Sequence, residues 1–194
     1  MKLSIIIPFY NVASYIERCL QSVVDQTYTD IECILVDDCG SDNSIELAQI
    51  FINNYIGNIK FSILHHDKNK GLSAARNTAL RNAKGEYVYF LDSDDAITSD
   101  CIEVLISLAI KYPDAAFAQG NFLDRNMQIS RYGWKIQLPE YCHEKEDLEK
   151  IILFKVVTSA CNKVIKKSIF TEYHLYFPEG IVHEDMYWTF FLVK

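Results

Sequence analysis

Tyr87-Val88-Tyr89-Phe90-Leu91-Asp92-Ser93-Asp94-Asp95 decides how this chain folds. Five apolar or aromatic residues run directly into three carboxylates. A continuous apolar run of this length reads as a strand covered on both faces, as parallel sheets require. Such a strand ending in clustered acids places like charges together at a sheet edge. That arrangement is costly unless a cation or a hydrogen-bond network compensates it. Open α/β sheets bind ligands outside the carboxyl ends of their strands. A divalent metal carrying a diphosphate is the simplest occupant.

Working outward, strand and helix signals alternate at short spacing. Leu3–Pro8 reads as a buried first strand closed by its proline. Ala13, Ile16, Leu20, Val23 and Val24 recur at helical spacing and predict a helix from about Ala13 to Asp25. Ile31–Val36 is a second strand ending in Asp37-Asp38. Asp42 and Ser44 are candidate caps for a helix over Ser44–Asn54. Ile59–His65 is a third strand. After Gly71, Ser73 is the expected cap of a helix reaching Asn82, and Lys84-Gly85 ends it. Past the acid-terminated strand, Asp100 with Glu103 has the pattern of a capping box for a helix running to Lys111. Ala115–Gln119 is a weaker fifth strand. The alternation predicts an α/β fold, a mostly parallel sheet with helices on both faces.

After Gly120 the rhythm changes, so the chain divides into residues 1–119 and a smaller, mixed portion, 120–194, of the same domain. In the second portion Asn121–Glu140 reads as a hairpin or ordered loop over the site, and Glu144–Phe154 as a helix. Ala160–Ile165 reads as a strand, Ser168–Tyr173 as a short helix and Glu184–Val193 as a last helix. That helix is largely apolar and needs a neighbour to bury it. The expectation is that a C-terminal region is missing.

The 194 residues suffice for one ample domain. A net charge of -7, with no basic run or stripe, excludes nucleic acid as the main partner. Six cysteines without a C-x-x-C pair read as reduced, mostly buried thiols of a cytoplasmic protein. Met1-Lys2 leads at once into a strand, so no signal peptide is expected, and no apolar run is long enough to span a membrane. Peripheral contact with the inner face of a membrane stays open.

Three acidic clusters fall at predicted element ends: Asp37-Asp38, Asp92-Ser93-Asp94 and Glu184-Asp185. Each alone has a dull explanation, as turn residues, a solvated loop or a complement to a helix dipole. Together on an α/β framework they point to a site. Mg²⁺ or Mn²⁺ takes oxygen ligands and commonly uses one or two carboxylates plus substrate phosphate oxygens. An Asp-x-Asp at a strand end suits this, one acid on the metal and the other free for a ribose hydroxyl.

The ordered set of motifs resembles glycosyltransferase family 2, the inverting enzymes with the GT-A, Rossmann-like nucleotide-sugar fold. It comprises Ser4-Ile-Ile-Ile-Pro8-Phe-Tyr10-Asn11, Val36-Asp37-Asp38 with Ser41-Asp42, Asn69-Lys-Gly71-Leu-Ser-Ala-Ala-Arg76-Asn77, Asp92-Ser-Asp94-Asp95 and His183-Glu184-Asp185. The likeness is dense over Lys2–Ala96 and looser over Asn162–Trp188. Cys39-Gly40 departs from the Gly-Ser that members often carry.

The resemblance implies a division of labour. Pro8 and Tyr10 would line the nucleobase pocket, and Asp38, or else Asp37, would accept a hydrogen bond from the base. Arg76 would help hold the nucleotide, although a helix-surface arginine is the plain alternative. Asp92 would touch the ribose or the metal, and Asp94 would ligate a metal, Mn²⁺ or Mg²⁺, bridging the diphosphate. Asp185 would be the general base, with Glu184 as runner-up. His183 would approach metal or acceptor, or be an ordinary histidine. The donor implied is a UDP-sugar, and the acceptor a hydroxyl of a glycan or lipid-linked glycan. The Gln-x-x-Arg-Trp pattern of processive synthases is absent, which favours single additions.

Rival readings are weaker. A phospho-acceptor receiver places its acid pair after the first strand, where this chain has none. A nucleotidyltransferase wants a glycine-rich phosphate loop there, and Pro8-Phe-Tyr-Asn11 has no glycine. A non-catalytic nucleotide-sugar binder, or an inactive fragment, is the remaining alternative; it would bind UDP with Mn²⁺ but not turn over.

Overall fold

In the computed structural model, residues 1–123, 140–142 and 158–193 are described. The hairpin or loop expected over Asn121–Glu140, apart from its ends, and the helix expected over Glu144–Phe154 lie outside them. Among the described residues six strands form one sheet in the order β3-β2-β1-β4-β6-β5. They are β1 (Leu3–Phe9), β2 (Ile31–Asp37), β3 (Lys60–His65), β4 (Tyr87–Phe90), β5 (Phe117–Gln119) and β6 (Lys163–Lys166). The helices are α1 (Ile16–Val24), α2 (Ser44–Asn54), α3 (Leu72–Asn82), α4 (Cys101–Lys111), α5 (Lys167–Glu172) and α6 (Glu184–Val193). The first four strands are parallel, while β6 runs antiparallel to both β4 and β5. β6, from the late part of the chain, is thus inserted between two strands of the early part.

Helices cover both faces. Leu3, Ile5, Ile7 and Phe9 of β1 face a core with Ile16, Cys19, Leu20 and Val23 of α1, Ala48 of α2 and Ile102, Leu105 and Ile106 of α4. Ile6 faces the opposite core with Ala75, Ala79 and Leu80 of α3, Phe170 of α5 and Trp188 and Leu192 of α6. The period-two alternation of a strand and two buried faces explain why β1 is apolar throughout. Helix α6 buries Trp188 and Leu192, whereas Met186, Tyr187, Phe190 and Phe191 stay exposed.

Several element ends differ from expectation, each for a local reason. β1 does not stop at Pro8 but continues through Phe9, with Pro8 opposite Val36 of β2. Ile6 gives its carbonyl to Leu91 of the β4 side and Phe9 gives its carbonyl to Asp38 of the β2 side. Position 8 therefore points toward β4, whose pairing with β1 ends at Ile6–Phe90. A missing N–H costs nothing there. α1 starts at Ile16 because Val12–Tyr15 closes a turn, Tyr15 N–H to Val12 O at 2.8 Å.

The helix caps also differ. Asn43 and Gly71 hold the cap positions of α2 and α3 in place of Asp42, Ser44 and Ser73. Gly71 has φ +87°, a left-handed conformation that suits glycine. Asp100 holds the cap position of α4 as expected but makes no side-chain cap bond, and Glu103 instead accepts from Thr27 Oγ1 at 2.6 Å. The strand expected from Ala160 begins at Lys163, because Asn162 turns to φ +60°. Ahead of it only Cys161 bridges to Phe90.

Gly85 is fixed by packing. A Cβ there would stand 2.6 Å from the Ser4 amide nitrogen and 2.7 Å from the Tyr87 carbonyl oxygen. Both are backbone atoms of the central strands. Gly85→Ala is expected to cost roughly 1–3 kcal/mol of stability by overpacking, measured by urea unfolding. An unchanged midpoint would mean that the β1–β4 contact yields easily.

Candidate active site

The carboxyl ends of β1 and β4 part beyond Ile6–Phe90, and a cavity of about 350 Å³ opens beside them. Pro8, Tyr10, Asp38, Asn69, Gly71, Asp92 and Asp94 are among the residues lining it. Five expected site residues are therefore brought to one hollow: Pro8, Tyr10, Asp38, Asp92 and Asp94. The location is the point where the strand order reverses about β1, as expected for open α/β sheets. Tyr10 keeps 47% of its surface exposed, so its ring is available to a ligand.

Side chains lace the surrounding loops together. Asn11 Oδ1 accepts from the Ser41 and Asp42 amides at 2.7 and 3.2 Å, tying the loop after β1 to the loop after β2. Asp42 Oδ2 accepts from the Ala13 amide at 2.9 Å, and Ser44 Oγ accepts from the Val12 amide at 2.8 Å. The residues expected as caps thus serve a neighbouring loop.

The two acids ending β2 have different surroundings. Asp38 is 4% exposed and accepts from the Lys70 and Gly71 amides, both at 2.8 Å. Asp37, the alternative for base recognition, accepts from the Gly40 amide at 3.1 Å and faces His65 Nδ1 at 3.3 Å. It is not among the residues lining the hollow.

Asp92–Asp95 is a tight turn closed by the Asp95 amide and the Asp92 carbonyl at 3.0 Å. Helix α1 supports it from below. Arg18 donates to the Asp94 carbonyl, and Cys19 Sγ lies 3.8 Å from the Asp92 carbonyl. Burial pushes the Cys19 thiol up to about 12, so it acts as a packing group. Partial burial, then the fields of Asp94 and Asp92, raise the Asp95 carboxyl above its usual value, with Arg18 opposing.

That accumulation of negative charge, aimed into a hollow, suits a hard divalent cation. Among the described residues no three His, Cys, Asp or Glu side chains converge as a ligand cage. The protein's share would be the one or two carboxylates of Asp94 and Asp92, with phosphate oxygens completing the shell.

Arg76 joins the acidic clusters. Its guanidinium is buried, with Nη2 2.9 Å from Asp92 Oδ1 and Nη1 3.0 Å from Glu184 Oε1. It stacks 5.2 Å from the Phe177 ring centroid, above an aromatic cluster in which Phe177 and Trp188 stack at 4.6 Å. The helix-surface alternative for Arg76 is excluded by its 2% exposure. The bridge brings the start of α6 against the turn after β4, and Asp185 is the next residue along α6. Arg76 and Asp185 do not themselves line the hollow. Glu184 is engaged by Arg76, which leaves Asp185 as the acid of this pair outside the bridge; its Oδ1 accepts from the Met186 amide at 2.8 Å. His183 is exposed, at φ +61°.

Sequence reading missed three contributors. Asn77 pins the segment before α6, its Nδ2 donating to the Phe177 carbonyl at 2.8 Å and its Oδ1 accepting the Phe177 amide at 2.9 Å. Lys163 is fully buried and donates to the Ser159 carbonyl at 2.6 Å. Burial pulls its ammonium down to about 8, and the fields of Cys161 and Asp185 limit the fall. His66, buried behind Asp38, is the third. Only Asn77 carried a signal, as part of the Arg76-Asn77 motif.

The mostly parallel α/β sheet, with Asp38, Asp92 and Asp94 lining a hollow at its carboxyl edge, has the architecture of the GT-A fold. S. aureus TarS, residues 1–349, has the same fold, at TM-score 0.82 and 26% identity over 100% of this chain and 55% of that one. The TarS structure in complex with UDP-GlcNAc aligns at TM-score 0.81 and 25% identity, over 97% and 52%. This chain belongs to glycosyl transferase family 2, whose family model matches residues 4–173. Among curated relatives, glycosyltransferase GlyA of Streptococcus pneumoniae is 34% identical over 96% of this chain, and glycosyltransferase GlyG of the same organism 30% identical over 94%. The chain spans 27% of the length of GlyA and 62% of that of GlyG. Among the described residues no helix is long and apolar enough to cross a membrane.

Proposed function

We propose that this chain is the donor-binding and catalytic region of an inverting, metal-assisted glycosyltransferase. It would move a sugar from a UDP-sugar to a hydroxyl of a glycan or lipid-linked acceptor. The observation that carries this reading is the Arg76 bridge, which unites the Asp92 turn with the first turn of α6 beside a ligand-sized hollow. The TarS relative whose structure holds UDP-GlcNAc supports uridine as the base.

In this reading Pro8 and Tyr10 enclose the uracil ring and Asp38 accepts from it. Asp92 receives the ribose or shares the cation, and Arg76 acts through Asp92 by fixing its carboxylate. Asp94, with Asp92, would hold Mn²⁺ or Mg²⁺, which when bound supplies Lewis-acid stabilisation of the charge on the leaving diphosphate. Asp185 takes the proton of the acceptor hydroxyl. That oxygen bonds to the anomeric carbon as the bond to the diphosphate oxygen breaks on the opposite face, so the configuration inverts. No second carboxylate is needed as a nucleophile. Residues 1–119 supply the donor side and residues 120–194 the acceptor side.

The test is a panel of UDP-sugars scored for Mn²⁺-dependent thermal stabilisation, since a ligand at 100 times its Kd adds roughly 2.7 kcal/mol. A shift with one UDP-sugar and release of UDP on adding acceptor support the proposal. Absence of any nucleotide-dependent shift removes it. Asp94→Ala is expected to abolish the gain in UDP affinity that Mn²⁺ brings, measured by titration calorimetry. Equal gains in both proteins would remove Asp94 from the metal.

A further inference from the structure

His66 follows directly on β3, its amide continuing the pairing with β2 by donating to the Asp37 carbonyl at 2.9 Å. Its side chain is 4% exposed and both ring nitrogens have partners. Nδ1 lies 2.6 Å from Asp38 Oδ1, and Nε2 lies 2.9 Å from Thr78 Oγ1 of α3. An ionised carboxylate offers about four acceptor positions. In Asp38 three are filled, on Oδ1 by His66 and the Lys70 amide and on Oδ2 by the Gly71 amide. One position remains, on Oδ2, in a residue that lines the hollow beside Pro8 and Tyr10.

A single acceptor that cannot turn is a discriminating element. The ring N3 of uracil carries a hydrogen, whereas that of cytosine carries a lone pair. A fixed carboxylate oxygen therefore binds the first and repels the second. Sites built around one hydrogen bond reject the analogue that cannot make it. The fixing depends on which imidazole nitrogen bears the proton. Thr78 is the partner of Nε2, and a hydroxyl donating there leaves Nδ1–H to face Asp38.

We propose that His66, held as its Nδ1–H tautomer by Thr78, is a positioning residue that locks Asp38 into a one-site acceptor and thereby sets the preference for uridine over cytidine diphosphates. This rests on the nucleotide reading above, with Asp38 at the base.

The experiment titrates UDP and CDP, each with Mn²⁺, into the wild-type chain, His66→Leu, His66→Asn and Thr78→Val. Asn places an N–H where His carries Nδ1, whereas Leu fills the space with no donor. The UDP-over-CDP affinity ratio is expected to fall about tenfold or more in His66→Leu, less in Thr78→Val, and to be largely kept in His66→Asn. A purely structural role would weaken both nucleotides alike and leave the ratio unchanged; that result overturns the proposal while the nucleotide reading survives. A wild-type chain that does not prefer UDP overturns both. Should His66→Leu fail to fold, Thr78→Val at a half-buried helix position carries the comparison. Long-range ¹H–¹⁵N spectra of the wild-type imidazole add an independent check. Protonated Nδ1 with bare Nε2 is expected, and any other protonation pattern overturns the proposal.

Discussion

Replacing Asp185 by Asn is expected to lower the rate of sugar transfer by about 10²–10⁴-fold while leaving Mn²⁺-dependent UDP binding intact. The magnitude is that of a carboxylate general base within reach of the proton it removes. The separation of effects follows from geometry. The hollow is lined by residues from Pro8 to Asp94, and Asp185 is not among them. Its neighbour Glu184 is held by Arg76 at 3.0 Å and 14% side-chain exposure, which suits it to support rather than to proton transfer. Initial rates at saturating donor, beside calorimetric UDP affinity, decide the matter. Near-wild-type transfer by the Asn variant removes Asp185 as base, and Glu184→Gln then becomes the next variant to assay.

Arg76→Met is expected to destabilise the chain by about 3 kcal/mol and to weaken UDP binding, though the side chain touches no nucleotide in our reading. Removing one partner of a buried pair leaves an uncompensated charge, typically at a cost of about 3–5 kcal/mol. Here Asp92 is 34% exposed and Glu184 14%, so water recovers part of the loss and the lower end applies. Arg76→Lys does not restore the protein, because one ammonium cannot reach two carboxylates in the fork that Nη1 and Nη2 provide. Adding Glu184→Gln to Arg76→Met recovers part of the stability by removing one stranded charge. Urea denaturation of the wild type, Arg76→Met, Glu184→Gln and the double variant measures this, and additive effects in the double variant would show that Arg76 and Glu184 are not coupled.

Much of the framework is legible in the sequence because burial on both faces leaves a continuous apolar run, and helices show their period. β1, β2 and β4 were readable in this way with one end shifted by a single residue, and α2 with both ends as expected. Helix caps were not. Asp42, Ser44 and Glu103 have the chemistry of caps, yet each also bonds a sequence-distant residue, Asp42 splitting its carboxylate between the Ser44 and Ala13 amides, a division decided by tertiary contact. The family resemblance singles out Arg76, but its burial was equally hidden. α3 buries Ala74, Ala75, Arg76 and Asn77 in succession, so a charged residue sits on a covered face that hydropathy alone would assign to solvent. His66 stands in the polar run His65-His66-Asp67-Lys68-Asn69-Lys70, where nothing distinguishes a buried imidazole from an exposed one. The acid motifs were found because their positions at element ends combine with a family resemblance, which spacing alone does not supply.

Pro8 carries a consequence for the shape of the crevice. Were another residue at this position, its amide would present a donor into the gap between β1 and the chain leaving β4, inviting the ladder to zip one step further. The imino ring offers no such handle. The two strands therefore diverge at a place written into the covalent structure, and the opening that admits a ligand does not have to compete with the sheet's own tendency to seal itself.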